Sequence, residues 1–334
     1  MTCVKNAPCY EVERGEVMKK TWYLIIGVVL LVIGCIAYGY HEHHTPKTAQ
    51  ELKTVRVAYL PITHALPVFA TKELETADGP VHVELVKYGS WPELMDALNT
   101  GKVDAASVLV ELGVKAREQG IDVRAAALGH TEGNIIIVNK DINSVQDLKG
   151  KSFAIPHKQS TQKILVDCML EQAGLSEKDV QIVEMSPPEM PSALSVGQIA
   201  GYSVAEPFGS LALEMGTGKV FEDPDHLWHD NICCALVFNG QFVDEHHDLA
   251  KAFTKAYLDA GTYLDEHPKA QEEISSKYMK FNDSVIERSL KVIGFKDLAL
   301  TEDRYNALVH HMTHIDLIKK VPTYSEFVDT SLLP

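Results

Sequence analysis

The chain has 334 residues, with 46 acidic against 31 basic side chains and a net charge of −15 at neutral pH. This acidity argues against nucleic acid or an anionic membrane surface as an electrostatic partner. The length exceeds what one core of typical size needs, and it suits two lobes of roughly 100 to 150 residues each.

The first 53 residues are predicted to direct export and not to belong to the folded body of the protein. Lys19 and Lys20 precede an apolar run over 22–33, which is followed by Gly34 and Cys35. A charged start, a short apolar segment and a small residue before the cut are typical of a secretory signal. We predict an upstream extension over 1–17 that is not part of the native protein, a signal peptide over 18–34 and a polar tether over 35–53.

The end of this signal, Val-Ile-Gly-Cys, resembles the bacterial lipobox, in which the cysteine is lipidated and becomes the first residue. The resemblance implies lipidation at Cys35 and anchoring of the chain on the outer face of the cell membrane. The alternative is an uncleaved anchor over 22–40, which is just long enough to span a bilayer.

A repeat organises the body of the chain. Residues 90–120 reappear without a gap 96 residues later as 186–216, with twelve identities in 31 positions. Chance gives about two identities, and similarity at a fixed spacing indicates repeated structure. Each copy has the pattern strand, helix, strand, helix, which is typical of a parallel sheet covered on both faces. The sequence therefore predicts an α/β fold with two lobes.

Several short runs carry a resemblance that covers residues 54–329. They are Tyr-Leu-Pro-Ile-Thr-His-Ala at 59–65, Lys-Tyr-Gly-Ser-Trp at 87–91, Ala-Leu-Asn-Thr-Gly-Lys-Val-Asp-Ala at 97–105, Leu-Lys-Gly-Lys at 148–151, Ser-Pro-Pro-Glu-Met at 186–190 and Glu-Pro at 206–207. Their order and spacing resemble the solute-binding proteins of nitrate, sulfonate, taurine and bicarbonate importers.

The resemblance implies a type II periplasmic-binding-protein-like fold, in which two lobes joined by a hinge close on a small-molecule ligand. It also implies delivery of that ligand to an ABC permease and its ATPase, and we expect the chain to act as a monomer. We place lobe 1 at 54–136 and 238–334 and lobe 2 at 137–237, with crossings near 135–138 and 233–237.

The loops after the predicted strands provide the candidate ligand-binding residues, because open α/β sheets bind ligands beyond the carboxyl ends of their strands. The candidates are His64, Trp91, His130, Thr131, Ser160, Thr161, Glu206 and Phe208. Ser160 and Thr161 open a helix whose free N–H groups suit an oxyanion, and a plain N-cap is the alternative for each. Trp91 is alternatively core, and Glu206 is alternatively a structural carboxylate between the lobes.

Two positions depart from the nitrate-binding pattern. Gln162 stands where those proteins have a histidine, and Cys233-Cys234 stand where they have a lysine. Because both changes remove a cation, the ligand stays open between a small anion and a thiamine-pyrimidine-like ring stacked on aromatic side chains. Since neighbouring strand residues point to opposite faces, we expect one cysteine in the cleft and the other in the core.

Catalysis and metal binding are two further classes of function for this sequence. We expect no enzyme and no cofactor, since the related thiamine-pyrimidine synthases need a cysteine-rich motif and a cofactor lysine. A metal-binding or ligand-sensing lipoprotein is the other alternative, through His310 and His314 on one helix face or His64 and His130 in the cleft. We assign no metal ligand and interpret the helix pair as solvated surface histidines.

Overall fold

The computed structural model describes residues 53–334 together with positions 22, 23, 26, 27 and 30–32, which are helical. The predictions for the upstream extension, the cleavage point, Cys35 and the tether up to residue 52 lie outside the described residues. In the part of the chain that is described, no helix has both the length and the apolar character needed to cross a membrane. Residues 53–334 form one compact unit.

The first sheet has five strands in the order β2-β1-β3-β11-β4. They are β1 (Thr54–Tyr59), β2 (His82–Lys87), β3 (Ala105–Leu109), β4 (Val123–Leu128) and β11 (Cys234–Asn239). β1 runs parallel to β2 and β3, whereas β11 runs antiparallel to both β3 and β4. Every residue of β3 and β11 is buried, as expected for strands covered on both faces.

The second sheet also has five strands, in the order β10-β6-β9-β7-β8. They are β6 (Asn134–Asn139), β7 (Ser152–Ile155), β8 (Gln181–Glu184), β9 (Gly201–Ala205) and β10 (Gly218–Val220). β7 runs parallel to β8 and β9, and β6 runs antiparallel to β9. A two-stranded ribbon of β5 (Thr131–Glu132) and β12 (Ile293–Gly294) lies at the first crossing.

Helices cover both sheets. Those before residue 230 are α1 (Leu66–Leu74), α2 (Trp91–Asn99), α3 (Val110–Glu118), α4 (Thr161–Gln172), α5 (Met190–Ser195), α6 (Phe208–Glu214) and α7 (Pro224–Leu227). Those after it are α8 (Gly240–Glu245), α9 (His247–Glu266), α10 (Pro268–Tyr278), α11 (Asp283–Leu290), α12 (Glu302–His314) and α13 (Tyr324–Phe327). The C-terminal segment returns to the first sheet, where the backbone N–H of Asp329 donates to the carbonyl of Ala125 at 2.9 Å.

The two-lobed α/β fold predicted from the repeat and the resemblance is confirmed, but the predicted crossings need correction. The boundary between 136 and 137 falls inside β6, and the boundary between 237 and 238 falls inside β11. Both apolar runs are regular strands of the sheet that the chain is entering, so the crossings come earlier. Polar turns with Glu132, Gly133 and Asp230 at positive φ lie at these crossings.

Candidate functional site

Four potential metal ligands meet where the two lobes face each other. His64, His130, Cys233 and Cys234 each offer one ligand atom, and these atoms all lie within 4.8 Å of one another. All four side chains are buried. No second group of this kind exists within the described ranges.

All four residues come from the same edge of the first sheet. His64 lies in a 3-10 turn (Thr63–Ala65) shortly after β1, and His130 follows β4. β11 runs against its neighbours, so its first residue, Cys234, pairs with Leu109, the last residue of β3. Antiparallel insertion therefore brings the start of β11 to the edge at which the parallel strands end, and Cys233 comes with it.

His64 is oriented as a metal ligand. Its Nε2 lies 2.9 Å from the carbonyl oxygen of Gly133, which accepts only from an N–H, so the proton belongs on Nε2. The lone pair on Nδ1 then faces the thiols, with Nδ1 3.6 Å from Sγ of Cys233 and 3.5 Å from Sγ of Cys234. Metal-bound histidines usually donate the other ring N–H to such a carbonyl, which fixes tautomer and orientation.

His130 lies against His64, with 3.6 Å between the ring centroids. Neither ring nitrogen has a hydrogen-bond partner although both are buried. Burial, followed by the repulsion between the protonated forms of the two imidazoles, lowers the pKa of His130 to about 4, so its imidazole is neutral at pH 7. A neutral, unpartnered imidazole is free to ligate a cation, and buried orphan nitrogens are uncommon without an occupant.

Both thiols belong to the cluster. The two Sγ atoms are 3.8 Å apart, and neither cysteine is in a disulfide. Burial opposes ionisation of both, but a hydrogen bond from the thiol of Cys234 brings the pKa of Cys233 well below its usual value. Burial and the neighbouring Cys233 raise the pKa of Cys234. The prediction that only one cysteine faces the cleft is wrong, because Cys233 precedes β11 and strand alternation does not govern it.

The buried ionisable groups around the cluster offer no free cation to an anion. Glu111 and Glu206 are both buried carboxyls, and burial raises the pKa of each. Lys163 is the only buried lysine or arginine of the described chain, and it is paired with Asp167 at 2.5 Å and with Glu177. An oxyanion at this site therefore finds no unpaired buried cation among the residues described.

The second lobe closes over the cluster through the start of α4. Thr161 Oγ1 lies 2.7 Å from the carbonyl oxygen of Ile232 and 2.5 Å from Oε1 of Glu111. Gln162 Nε2 lies 2.7 Å from Oδ1 of Asn134 and 3.4 Å from Sγ of Cys233. The two positions at which the sequence departs from the nitrate-binding pattern are thus in contact with each other.

Sequence reasoning missed Glu111 and Asn134. The only signal for Glu111 is an acidic residue inside the apolar run 108–112, where a carboxylate without a partner is costly. Asn134 carries no comparable signal, because it is simply the polar first residue of a strand whose next four residues are apolar.

Ser160 and Glu206 have structural partners. The Oγ of Ser160 donates to the carbonyl of His157 at 2.6 Å and accepts from the backbone N–H of Lys163, which makes it the N-cap of α4. The carboxylate of Glu206 accepts from the N–H and hydroxyl of Ser210, and its carbonyl accepts from the N–H and hydroxyl of Thr63. Glu206 therefore links the lobes through its backbone.

The remaining candidates lie in packing contacts. Trp91 is buried in the core cluster at the start of α2, and its indole N–H has no partner. Phe208 packs edge to face against Phe281 with 5.5 Å between ring centroids. Thr131 is partly exposed in β5. His310 and His314 are exposed on α12, as predicted, and His314 Nε2 lies 3.1 Å from Glu171.

With this geometry established, comparison with known proteins shows where the chain belongs. The sequence profile of the NMT1-like family matches residues 48–278. The chain belongs to the NMT1-like family. This NMT1-like protein is 28% identical over 285 residues to a putative aliphatic sulfonates-binding protein of Bacillus subtilis strain 168, and the match covers 82% of each chain.

Two further proteins are similar to the chain. The NMT1-like chain is 35% identical to a ligand-binding component of an ABC-type import system from Staphylococcus aureus, solved with zinc bound; the TM-score is 0.80 and the match covers 84% of this chain and 97% of that one. It is 25% identical over 239 residues to the nitrate import ATP-binding protein NrtC of Synechocystis sp. strain PCC 6803. That match covers 65% of this chain and 36% of NrtC, so the chain spans about a third of that relative's length.

These matches confirm the resemblance read from the motifs. Over most of its length the NMT1-like chain is similar to binding components of ABC import systems, and its relatives include aliphatic sulfonates-, taurine- and nitrate-binding proteins. The expectation that it is not an enzyme is also confirmed, since its binding-protein relatives are importer components.

Proposed function

We propose that this chain is a lipid-anchored, extracytoplasmic binding protein that captures a transition-metal ion between its lobes and delivers it to an ABC permease. The observation that carries the proposal is the buried convergence of His64, His130, Cys233 and Cys234. Imidazole nitrogen and thiolate sulfur are the preferred ligands of zinc and of softer ions such as Cu⁺.

The spacing of the ligand atoms supports a single tetrahedral ion. With Zn–N near 2.0 Å and Zn–S near 2.3 Å, a tetrahedron separates nitrogen from sulfur by about 3.5 Å and two sulfurs by about 3.8 Å. The Nδ1 of His64 lies 3.5 and 3.6 Å from the two sulfurs, which are themselves 3.8 Å apart. These three ligand atoms already have the separations that a bound zinc ion requires.

The zinc bound to the Staphylococcus aureus relative supports the same solute. A small anion of the nitrate, sulfonate or taurine type is the alternative that the other relatives favour, and a thiamine-pyrimidine-like ring is a third. The pairing of Lys163, the only buried lysine or arginine among the described residues, with Asp167 counts against the anion.

Equilibrium dialysis of the full chain against zinc, followed by elemental analysis, tests the solute directly. We expect one ion per chain, no competition by nitrate or taurine, and loss of binding in the Cys233→Ser/Cys234→Ser double variant. Cys168→Ser, which removes a half-buried thiol on α4 outside the cluster, is the matched control and should bind as the wild type does. Thermal stabilisation by nitrate or taurine without any bound metal would contradict the proposal.

The anchor and the delivery step need separate tests. Cys35→Ser should release the chain from the membrane fraction, whereas unchanged retention would favour a spanning anchor over 22–40. Deletion of the gene that encodes the chain should lower zinc uptake by metal-starved cells. Unchanged uptake would instead assign it a sensing role.

A further inference from the structure

The contact between Gln162 and Cys233 joins the two lobes at the metal ligands themselves. Gln162 is the second residue of α4 in lobe 2, and it is buried. Its Nε2 lies 3.4 Å from Sγ of Cys233 and 2.7 Å from Oδ1 of Asn134. Among the described residues, no other side chain of lobe 2 forms a hydrogen bond to a member of the cluster.

The four ligands do not need lobe 2 in order to bind an ion. They all lie at the ends of first-sheet strands or in the turns beside them. Ion binding therefore favours the closed conformation only if lobe 2 interacts more favourably with an occupied cluster than with an empty one. A ligand shifts a conformational equilibrium only by its differential interaction with the two states.

The state of the sulfur provides that difference. Closure over an empty cluster buries either a thiol, which is a weak acceptor for the Gln162 amide, or a thiolate with no compensating cation, and both are unfavourable. An ion that binds Cys233 makes the sulfur a charge-compensated thiolate. Such a sulfur accepts a hydrogen bond from the Gln162 N–H more strongly than a neutral thiol does.

We propose that Gln162 couples lobe closure to a metal–sulfur bond at Cys233, so that the solute class is restricted to thiophilic ions such as Zn²⁺, Cd²⁺ and Cu⁺. Ions that prefer oxygen ligands, such as Mg²⁺, Ca²⁺ and Mn²⁺, do not bind sulfur well enough to drive closure. Gln162 is a positioning residue that acts through Cys233, and this inference rests on the proposed metal-binding function.

Hydrogen exchange of the full chain, read at the start of α4 and the start of β11, measures closure, and the ultraviolet absorption of a cadmium–thiolate bond measures sulfur ligation separately. Zinc and cadmium should protect both segments in the wild type, and manganese should protect neither. Gln162→Leu should keep the full cadmium–thiolate absorption at saturation, lose the protection, and bind about tenfold more weakly, the scale of one hydrogen bond to a charged group. Gln172→Leu, an exposed glutamine on the same helix, should behave as the wild type.

The outcomes separate the two proposals. Zinc-induced protection of the same size in Gln162→Leu, or equal protection by manganese in the wild type, would overturn the role of Gln162 while leaving metal binding intact. Absence of metal binding to the wild type would overturn the proposed function first. Gln162→Met keeps the side-chain length without the amide, so it gives a second measurement if the leucine variant is poorly folded.

Discussion

The two lobes contain the same repeated unit, yet their facing edges differ in chemistry. His64 in lobe 1 and Ser160 in lobe 2 are 96 residues apart, which is the spacing of the repeat. His64 presents an unprotonated nitrogen to two thiols, whereas the hydroxyl of Ser160 is used in capping its own helix. Equivalent places in the fold thus hold a potential ligand in one lobe and a structural cap in the other.

The buried carboxyls differ in the same way. Glu111 at the start of α3 has an Oε2 with no hydrogen-bond partner, while both carboxylate oxygens of Glu206, just before α6, accept from Ser210. Orphan buried polar atoms are costly, and satisfied ones are close to neutral. The buried carboxyl of lobe 1 is therefore left with an unsatisfied oxygen, whereas that of lobe 2 is satisfied within its own lobe.

The largest effect on zinc binding is expected from a substitution at the lobe 1 edge. His64→Ala should weaken zinc binding by about a thousandfold or more, because one of four ligands is lost from a site whose full ligand set is worth many kcal/mol. Competition with a chromophoric chelator measures this. A loss of less than tenfold would place the ion elsewhere.

Loss of a packing contact between the lobes should lower the stability without changing the zinc affinity. Phe208→Ala removes the edge-to-face contact with Phe281 and should lower the free energy of unfolding by about 3 kcal/mol. Zinc affinity per folded molecule should change little, because Phe208 is not among the cluster residues. Denaturant unfolding and chelator competition on one preparation check both statements, and a selective loss of affinity would return Phe208 to the binding site.

A substitution at the crossing between the lobes should lower both the stability and the zinc affinity. Gly133 has φ of 82°, and a Cβ added there would lie 2.8 Å from Cδ1 of Ile293 and 3.1 Å from Nε2 of His64. Gly133→Ala should cost about 2 kcal/mol of stability and should also weaken zinc binding, because it displaces the His64 ring. Gly174→Ala is the matched control, since Gly174 has φ of 68° with nothing within 4 Å of an added Cβ. It should show the backbone cost without the loss of affinity.

The smallest effect should come from the lobe 2 counterpart of His64. Ser160→Ala should remove an N-cap and cost about 1 kcal/mol in unfolding free energy, with zinc affinity nearly unchanged. Equal losses of affinity in Ser160→Ala and His64→Ala would remove the distinction between the two edges.

Much of the fold was predictable because its signals are local. The repeat and the alternation of strands with helices predicted two α/β lobes, and the loops after strands predicted His64, His130 and Thr161 near one another. Local patterns misplaced the crossings, because the apolar runs at 135–138 and 234–237 look the same whether the chain crosses between sheets or joins one. The assignments of Ser160 and Phe208 to the binding site stay predictions, and the partners observed for them are a helix cap and a packing contact.

The sequence by itself determined the two lobes, the binding edges and the histidines of the candidate site. Only the tertiary structure decided that Cys233 and Cys234 join His64, from which they are separated by 169 and 170 residues along the chain. The physical reason is the insertion of β11 between β3 and β4 in the antiparallel sense, which brings the start of a late strand to the edge where earlier strands end. Strand order and direction depend on long-range pairing, so no spacing of residues along the chain specifies them.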